Sequence, residues 1–214
     1  LRIVTVLEEK YYNFKGLNLT IETLEGLIKH NGPLYDTGGF NKILQLNTFK
    51  NKINFNKFPY LESQISSISD DIAYNNHDIE DGIRANLFSL NEIVEIPFFK
   101  IIFNKHNKNI QKFGKKLIVS QIVRESINHM VTDIIENTKK NINKYKIKSL
   151  NNIYICDKPI VCFSSKMIEI DKQIKFFLNH NMYNNKYVLK KTTEGKKIIK
   201  NLFNNLNKNP KKYI

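Results

Sequence analysis

The segment SSISDDIAYNNHDIEDG, from Ser66 to Gly82, carries apolar residues at helical spacing and crowds the turns between them with acids, amides and a histidine. Isoleucines three, four or seven residues apart lie on one side of an α-helix. In and beside this segment they are Ile65, Ile68, Ile72, Ile79 and Ile83. The spacing therefore predicts one helix that packs an isoleucine stripe against the core.

The other side of this helix carries a second set of residues at three-and-four spacing. They are Asp70, Tyr74, His77, Asp78 and Asp81. From Asp70 to Asp78 a helix rises about 12 Å, which is the order of a bound nucleotide's length. Carboxylates stacked on one helical face repel each other unless a cation, a histidine or a hydroxyl-rich ligand lies over them. A solvated acidic face is the alternative, but the segment lacks Lys and Arg in a chain that has 34 of them, which favours a ligand site.

Composition bounds the protein class. With 214 residues and 41% hydrophobic content, the chain is long enough for one folded domain with a helical annex. Its longest apolar runs fall far short of the roughly 20 residues of a membrane span, and no signal segment opens it. We therefore expect a cytoplasmic protein without a membrane partner. Cys156 and Cys162 have neither metal-ligand spacing nor the number needed for a disulfide framework.

The chain is strongly basic, with a formal net charge of +14. Such a surface attracts phosphate at long range, so nucleic acid is a further candidate partner. However, Lys, Asn and Ile are enriched together along the whole chain, as an AT-rich coding bias would produce. The sequence has no zinc-finger spacing, RNA-recognition strand or basic zipper that would support nucleic-acid binding more specifically.

The remaining pattern is mostly helical. Thr20 suits a helix start, Gly32 and Pro33 suit its end, and Pro59 fits the first turn of the helix that carries the acidic face. The sequence predicts a loop from Leu34 to Lys57. Further amphipathic helices are predicted across residues 118–142, 170–177 and 199–206. Asn152 to Phe163, NIYICDKPIVCF, is typical of a strand or of an extended connector.

We therefore expect an all-α fold, with a boundary near residues 96–116, where Pro97 and an Asn/Lys-rich stretch interrupt the apolar pattern. The chain starts without methionine, in a sequence of helical periodicity, so we expect a piece of a longer protein.

The stretch LESQISSISDDIAYNNHDIEDGIRANL, Leu61 to Leu87, resembles the signature helix of the deoxyguanosine triphosphate triphosphohydrolase-like family of HD-domain phosphohydrolases. Three further stretches resemble that family in the same order. They are Leu1 to Pro33, Ile122 to Thr138 and Phe163 to Val188. The resemblance implies the carboxyl-terminal part of an HD-domain helical bundle in residues 1–96 and a phosphohydrolase-associated helical region in residues 97–214.

The resemblance also implies an activity. Family enzymes convert a deoxynucleoside triphosphate and water to deoxynucleoside and tripolyphosphate, using one divalent metal, and the complete proteins form homo-oligomers. Such mixed imidazole and carboxylate sites suit Mn²⁺, Mg²⁺ or a later transition metal. By position in the motif, Asp70 resembles a metal ligand, Tyr74 a residue packed on the substrate's sugar, and Asp78 a carboxylate near the 3′-hydroxyl. Arg2 and Lys29 are weaker candidates for phosphate contact.

The chain departs from the family pattern in its metal ligands. The family's early His and His-Asp pair lie upstream of the position that matches Leu1, and its closing segment follows the position that matches Ile214. His77-Asp78 is the one His-Asp pair here, inside the motif already assigned. We assign no catalytic residue and expect this piece to lack a complete metal site. The alternatives are another HD-domain nucleotide phosphohydrolase and a non-catalytic basic helical module that binds nucleic acid.

Overall fold

The computed structural model describes residues 1–35, 53–208 and 210–212, and these residues form eight α-helices and no β-strand. In chain order the helices are α1 (Ile21–Ile28), α2 (Leu61–Arg84), α3 (Leu90–Val94), α4 (Pro97–His106), α5 (Ile110–Lys144), α6 (Leu150–Ile155), α7 (Ser165–Leu178) and α8 (Lys186–Lys208). Short π-helical turns span Ile3–Leu7 and Asn179–Tyr183. The predicted all-α fold is confirmed. Within these ranges no helix has the length and apolarity to cross a bilayer.

The chain divides into two compact units that interleave along the sequence. The first unit comprises residues 1–73 and 128–167, and the second comprises residues 74–127 and 168–214. Helices α2 and α5 each contribute residues to both units. The division at residues 1–96 and 97–214 expected from the sequence stays a prediction.

The ends of α1 follow the expected local chemistry. Thr20 caps the helix, since its hydroxyl oxygen accepts a hydrogen bond from the Thr23 amide at 3.3 Å. Gly32, with φ 96°, adopts the left-handed conformation predicted at the end of this segment, directly before Pro33. Helix α2 begins at Leu61, so Pro59 precedes its first turn instead of occupying it. Most of the predicted loop from Leu34 to Lys57 lies outside the described residues.

Gln64, and not Ile65, faces the interior of the first unit. The Gln64 amide oxygen accepts hydrogen bonds from the Ile160 and Val161 backbone amides at 2.9 and 3.0 Å, and its nitrogen donates to the Pro59 carbonyl at 2.7 Å. Ile65 is 47% exposed, so its place in the predicted core stripe is wrong. A polar side chain occupies this buried position because the neighbouring backbone groups of Pro59, Ile160 and Val161 need hydrogen-bond partners.

Asn152–Phe163 is not a strand. Its first residues complete α6, and the chain from Cys156 to Ser164 is a connector, as in the alternative prediction, but one that bends at residues 157–158 and 160–161. Two amides on α5 hold it in place: Nδ2 of Asn141 donates to the Ile160 carbonyl and Nδ2 of Asn137 to the Cys162 carbonyl, each at 2.9 Å. Side-chain amides thus satisfy backbone groups that a sheet would otherwise pair.

The second unit is built on apolar side chains from five helices and from the turn after α2. They include Ile79, Ile83, Phe88, Ile93, Phe99, Ile102, Ile118, Ile122, Ile174 and Leu178. The predicted long helix is present as α5, but its backbone leaves helical geometry at Gly114, with φ 78° and ψ 157°. Helix α8 forms as predicted and buries none of its side chains.

Candidate functional site

From Asp70 onward, helix α2 places its isoleucines on the buried side and its acids away from them, as the spacing predicted. Ile72, Ile79 and Ile83 are buried. On the polar side, Asp70, Tyr74, His77 and Asp81 are exposed and Asp78 is half-buried. The helix therefore presents its carboxylates where a ligand can reach them.

In the first unit, the structure brings Asp70 next to His30. Nε2 of His30, just beyond the end of α1, lies 3.6 Å from Oδ2 of Asp70, with the two side chains 42% and 71% exposed. An ion pair this exposed contributes little to stability. The pair instead offers one imidazole nitrogen and one carboxylate at adjacent positions. Nothing in the local sequence around His30, KHNGP, indicates a partner forty residues away.

These two donors do not complete a metal site. Among the described residues no three His, Cys, Asp or Glu side chains lie close enough together to hold a metal ion. A divalent ion in a mixed imidazole and carboxylate site needs more protein ligands than two for tight binding. His30 and Asp70 by themselves therefore form at most part of a metal site.

In the second unit, Asp78 has a tyrosine partner that the sequence did not suggest. The Tyr183 hydroxyl, at the end of the π-helical turn after α7, donates a hydrogen bond to Oδ2 of Asp78. Burial raises the pKa of the Tyr183 phenol, and the hydrogen bond to Asp78 and the charge of that carboxylate raise it further. The phenol therefore stays protonated and remains a donor at neutral pH.

A second polar link in this unit fixes the same turn of α2. The buried Asn75 donates from Nδ2 to Oδ1 of Asp171 on α7 at 3.1 Å. Nζ of Lys175 lies 2.9 Å from the other Asp171 oxygen. Asp78 is thus presented by a helical turn whose neighbouring side chain is anchored, which restricts the carboxylate's position.

Lys29 occupies the interior of the first unit. Its fully buried ammonium lies 2.5 Å from Oε1 of Glu25, and the Tyr154 hydroxyl donates to Oε2 of the same carboxylate at 2.7 Å. Burial lowers the pKa of Lys29, while Glu25 opposes that shift. A phosphate contact by Lys29 would require this internal ion pair to open.

Arg2, unlike the buried Lys29, is accessible to solvent. Its side chain is exposed, directly before the π-helical turn Ile3–Leu7. No ion pair engages it within the described part of the chain. Of the two residues suggested for phosphate contact, Arg2 is the one whose charge is accessible to a ligand.

Comparison with known proteins identifies the relatives of this chain. A sequence model described as the phosphohydrolase-associated domain matches residues 161–213, inside the region predicted for it. The deoxyguanosinetriphosphate triphosphohydrolase-like protein of Pelagibacter ubique is 56% identical over 214 residues, which is 100% of this chain and 58% of that protein. The chain is homologous to the dGTPase-like proteins. It spans about half the length of such relatives.

More distant relatives carry the same name. The dGTPase-like protein of Bartonella quintana is 40% identical, over 98% of this chain and 54% of its own length. That of Leptospira interrogans is 36% identical, over 99% of this chain and 54% of its own. The resemblance drawn from Leu61 to Leu87 is thereby confirmed for the whole chain.

Proposed function

We propose that this chain is part of a deoxynucleoside triphosphate triphosphohydrolase, in which the polar side of α2 contributes to the nucleotide site. The observation that carries the proposal is the homology over the full 214 residues to proteins named triphosphohydrolase-like. The accessible carboxylates of α2 are consistent with it, because a carboxylate can bind a metal ion or accept a hydrogen bond from a sugar hydroxyl. A protein of this kind would act in the cytoplasm.

Asp78 is the residue we assign to the sugar. Tyr183 engages Oδ2, and no described residue hydrogen-bonds Oδ1. A substrate 3′-hydroxyl could donate to that oxygen while Tyr183 holds the carboxylate in place. A charge-assisted hydrogen bond of this type contributes roughly 1.5–3 kcal/mol. Tyr74, exposed one turn earlier, offers a ring that can pack on the sugar.

Asp70 is the residue we assign to a divalent metal such as Mn²⁺ or Mg²⁺, with His30 beside it. A metal bound there would polarise a phosphoryl oxygen and supply hydroxide from bound water. The remaining ligands would come from residues other than those described. We further propose that Arg2 contacts phosphate and that the complete protein is a homo-oligomer.

The test uses a longer protein that contains residues 1–214 and matches the relatives over their full length. Incubation with dGTP and Mn²⁺ should release deoxyguanosine and tripolyphosphate, and Asp70→Asn should abolish the release, while Asp157→Asn, an exposed carboxylate outside α2, should retain it. Release of inorganic phosphate instead would favour another HD-domain nucleotide phosphohydrolase. No turnover, together with DNA binding that weakens steeply with salt, would favour a basic nucleic-acid-binding module.

A further inference from the structure

The second unit contains a basic cavity that the nucleotide site does not use. A cavity of about 410 Å³ is lined by Glu80, Ile83, Arg84, Asn86, Lys115, Lys116 and Val119. Its volume lies in the range of small-molecule sites. The buried side chains of Ile83 and Val119 give it an apolar floor, and the charged residues form its rim.

The charges on this rim are unbalanced. Oε1 of Glu80, the one carboxylate in the lining, accepts a hydrogen bond from the Ser120 hydroxyl at 2.8 Å and lies 3.5 Å from Arg84. Arg84 also pairs with Asp81 at 3.2 Å. Acidic neighbours therefore already compensate the guanidinium.

Lys115 and Lys116 supply the uncompensated charge. Neither forms an ion pair or hydrogen bond within the described residues. The backbone turns at Gly114, whose φ of 78° favours glycine, so these two lysines follow directly after the break in α5. The cavity lining therefore contains two lysines whose side chains have no acidic partner among the described residues.

From this geometry we infer that the cavity binds a phosphate group of a small phosphorylated molecule through Lys115 and Lys116. Asn86, on the same rim, offers an amide that can donate to a phosphate oxygen. The apolar floor accommodates the uncharged part of the ligand. The same chemistry could come from a nucleic-acid backbone, but a concave site of this volume with an apolar floor fits a small molecule better than a continuous strand.

The experiment measures tripolyphosphate binding to the 214-residue chain by isothermal titration calorimetry at about 0.15 M salt, where general attraction is screened. The test variant is Lys115→Ser/Lys116→Ser. The matched control is Lys139→Ser/Lys140→Ser, which removes an adjacent, exposed lysine pair from the same helix and leaves the same net charge. Thermal unfolding checks that both variants fold.

We expect saturable binding that weakens at least tenfold in the Lys115/Lys116 variant and changes less than twofold in the control. Equal weakening in both variants would show attraction to the basic surface as a whole and would overturn the inference. So would the absence of saturable binding to the unaltered chain. A parallel titration with oligo-dT separates the two sources: a loss confined to oligo-dT binding would assign the lysines to nucleic acid and also overturn the proposal.

Discussion

At the scale of single residues, the interior of the first unit depends on polar side chains that satisfy specific backbone and charged groups. Gln64 is the clearest case, since it makes three hydrogen bonds inside the fold. Gln64→Leu keeps the volume but leaves two buried amides and a carbonyl without partners. Each such loss costs about 1–3 kcal/mol.

We therefore expect Gln64→Leu to lower the free energy of unfolding by about 3 kcal/mol, measured by urea denaturation. Gln111→Leu, at an exposed position of α5, serves as the control and should change it by less than about 0.5 kcal/mol. Equal free energies of unfolding for the two variants would show that the hydrogen bonds of Gln64 do not stabilise the fold.

We expect Tyr183 to make the free energy of unfolding decrease as the pH rises above 10. Its folded pKa lies above the ordinary value of 10.0, so its contribution is fully present below pH 10 and is lost as the pH rises through the folded pKa. Tyr183→Phe removes the titrating group. The free energy of unfolding should then decline less steeply above pH 10, whereas Tyr12→Phe, at a fully exposed ring, should reproduce the unaltered profile. Parallel profiles for all three proteins would contradict the assigned shift.

The same residues show what sequence can predict at this scale. The Thr20 cap and the exposed acids of α2 follow from rules that act within one or two helical turns. Tyr183 and Asp78 are 105 positions apart, and Tyr154 and Glu25 are 129 apart. No periodicity encodes such pairs, because they depend on how distant helices pack.

At the scale of elements, Gly82 shows packing overriding helix propensity. A Cβ added to Gly82 would lie 2.3 Å from two ring carbons of Phe88. The chain turns back directly after α2, where Asn86 has φ 54° and the Leu87 amide donates to the Gly82 carbonyl at 2.9 Å. The phenyl ring therefore covers the helix at the one residue without a side chain.

Alanine at position 82 should accordingly destabilise the protein by about 1–3 kcal/mol, although alanine is the better helix former. The matched change is Gly195→Ala in α8, where nothing lies within 4 Å of the added methyl. That variant should gain up to about 1 kcal/mol if global unfolding includes α8. Urea denaturation measures both, and a stabilising Gly82→Ala would refute the close packing of Phe88.

At the scale of the whole molecule, α8 presents an apolar side to solvent. Its helical pattern was predictable from spacing, and exposed apolar surface was expected of a piece of a longer protein. That α8 carries this surface was not predictable, because periodicity indicates an apolar face without saying what covers it. Several large side chains on this helix are exposed. They are Ile198, Ile199, Leu202 and Phe203.

Contiguous exposed apolar surface promotes association. We expect the 214-residue chain to self-associate as its concentration rises, measured by light scattering. Ile199→Ser/Phe203→Ser should reduce the association, whereas Ile101→Ser, at an exposed isoleucine on α4, should not. A chain that stays monomeric at all concentrations would show that the α8 surface is tolerated in water.

The central claim is that the polar side of α2 recognises a nucleotide, and discrimination at the sugar tests it most directly. The assay uses a longer protein that contains this chain and matches the relatives over their full length. Its kcat/KM is compared for dGTP and 2′,3′-dideoxy-GTP. The unaltered protein should prefer dGTP, and Asp78→Asn should reduce that preference by about 5- to 30-fold, since the lost charge assistance is on the order of 1–2 kcal/mol. Asp157→Asn should keep the full preference. If Asp78→Asn leaves the ratio unchanged while turnover persists, Asp78 does not contact the sugar and α2 presents a solvated acidic face instead.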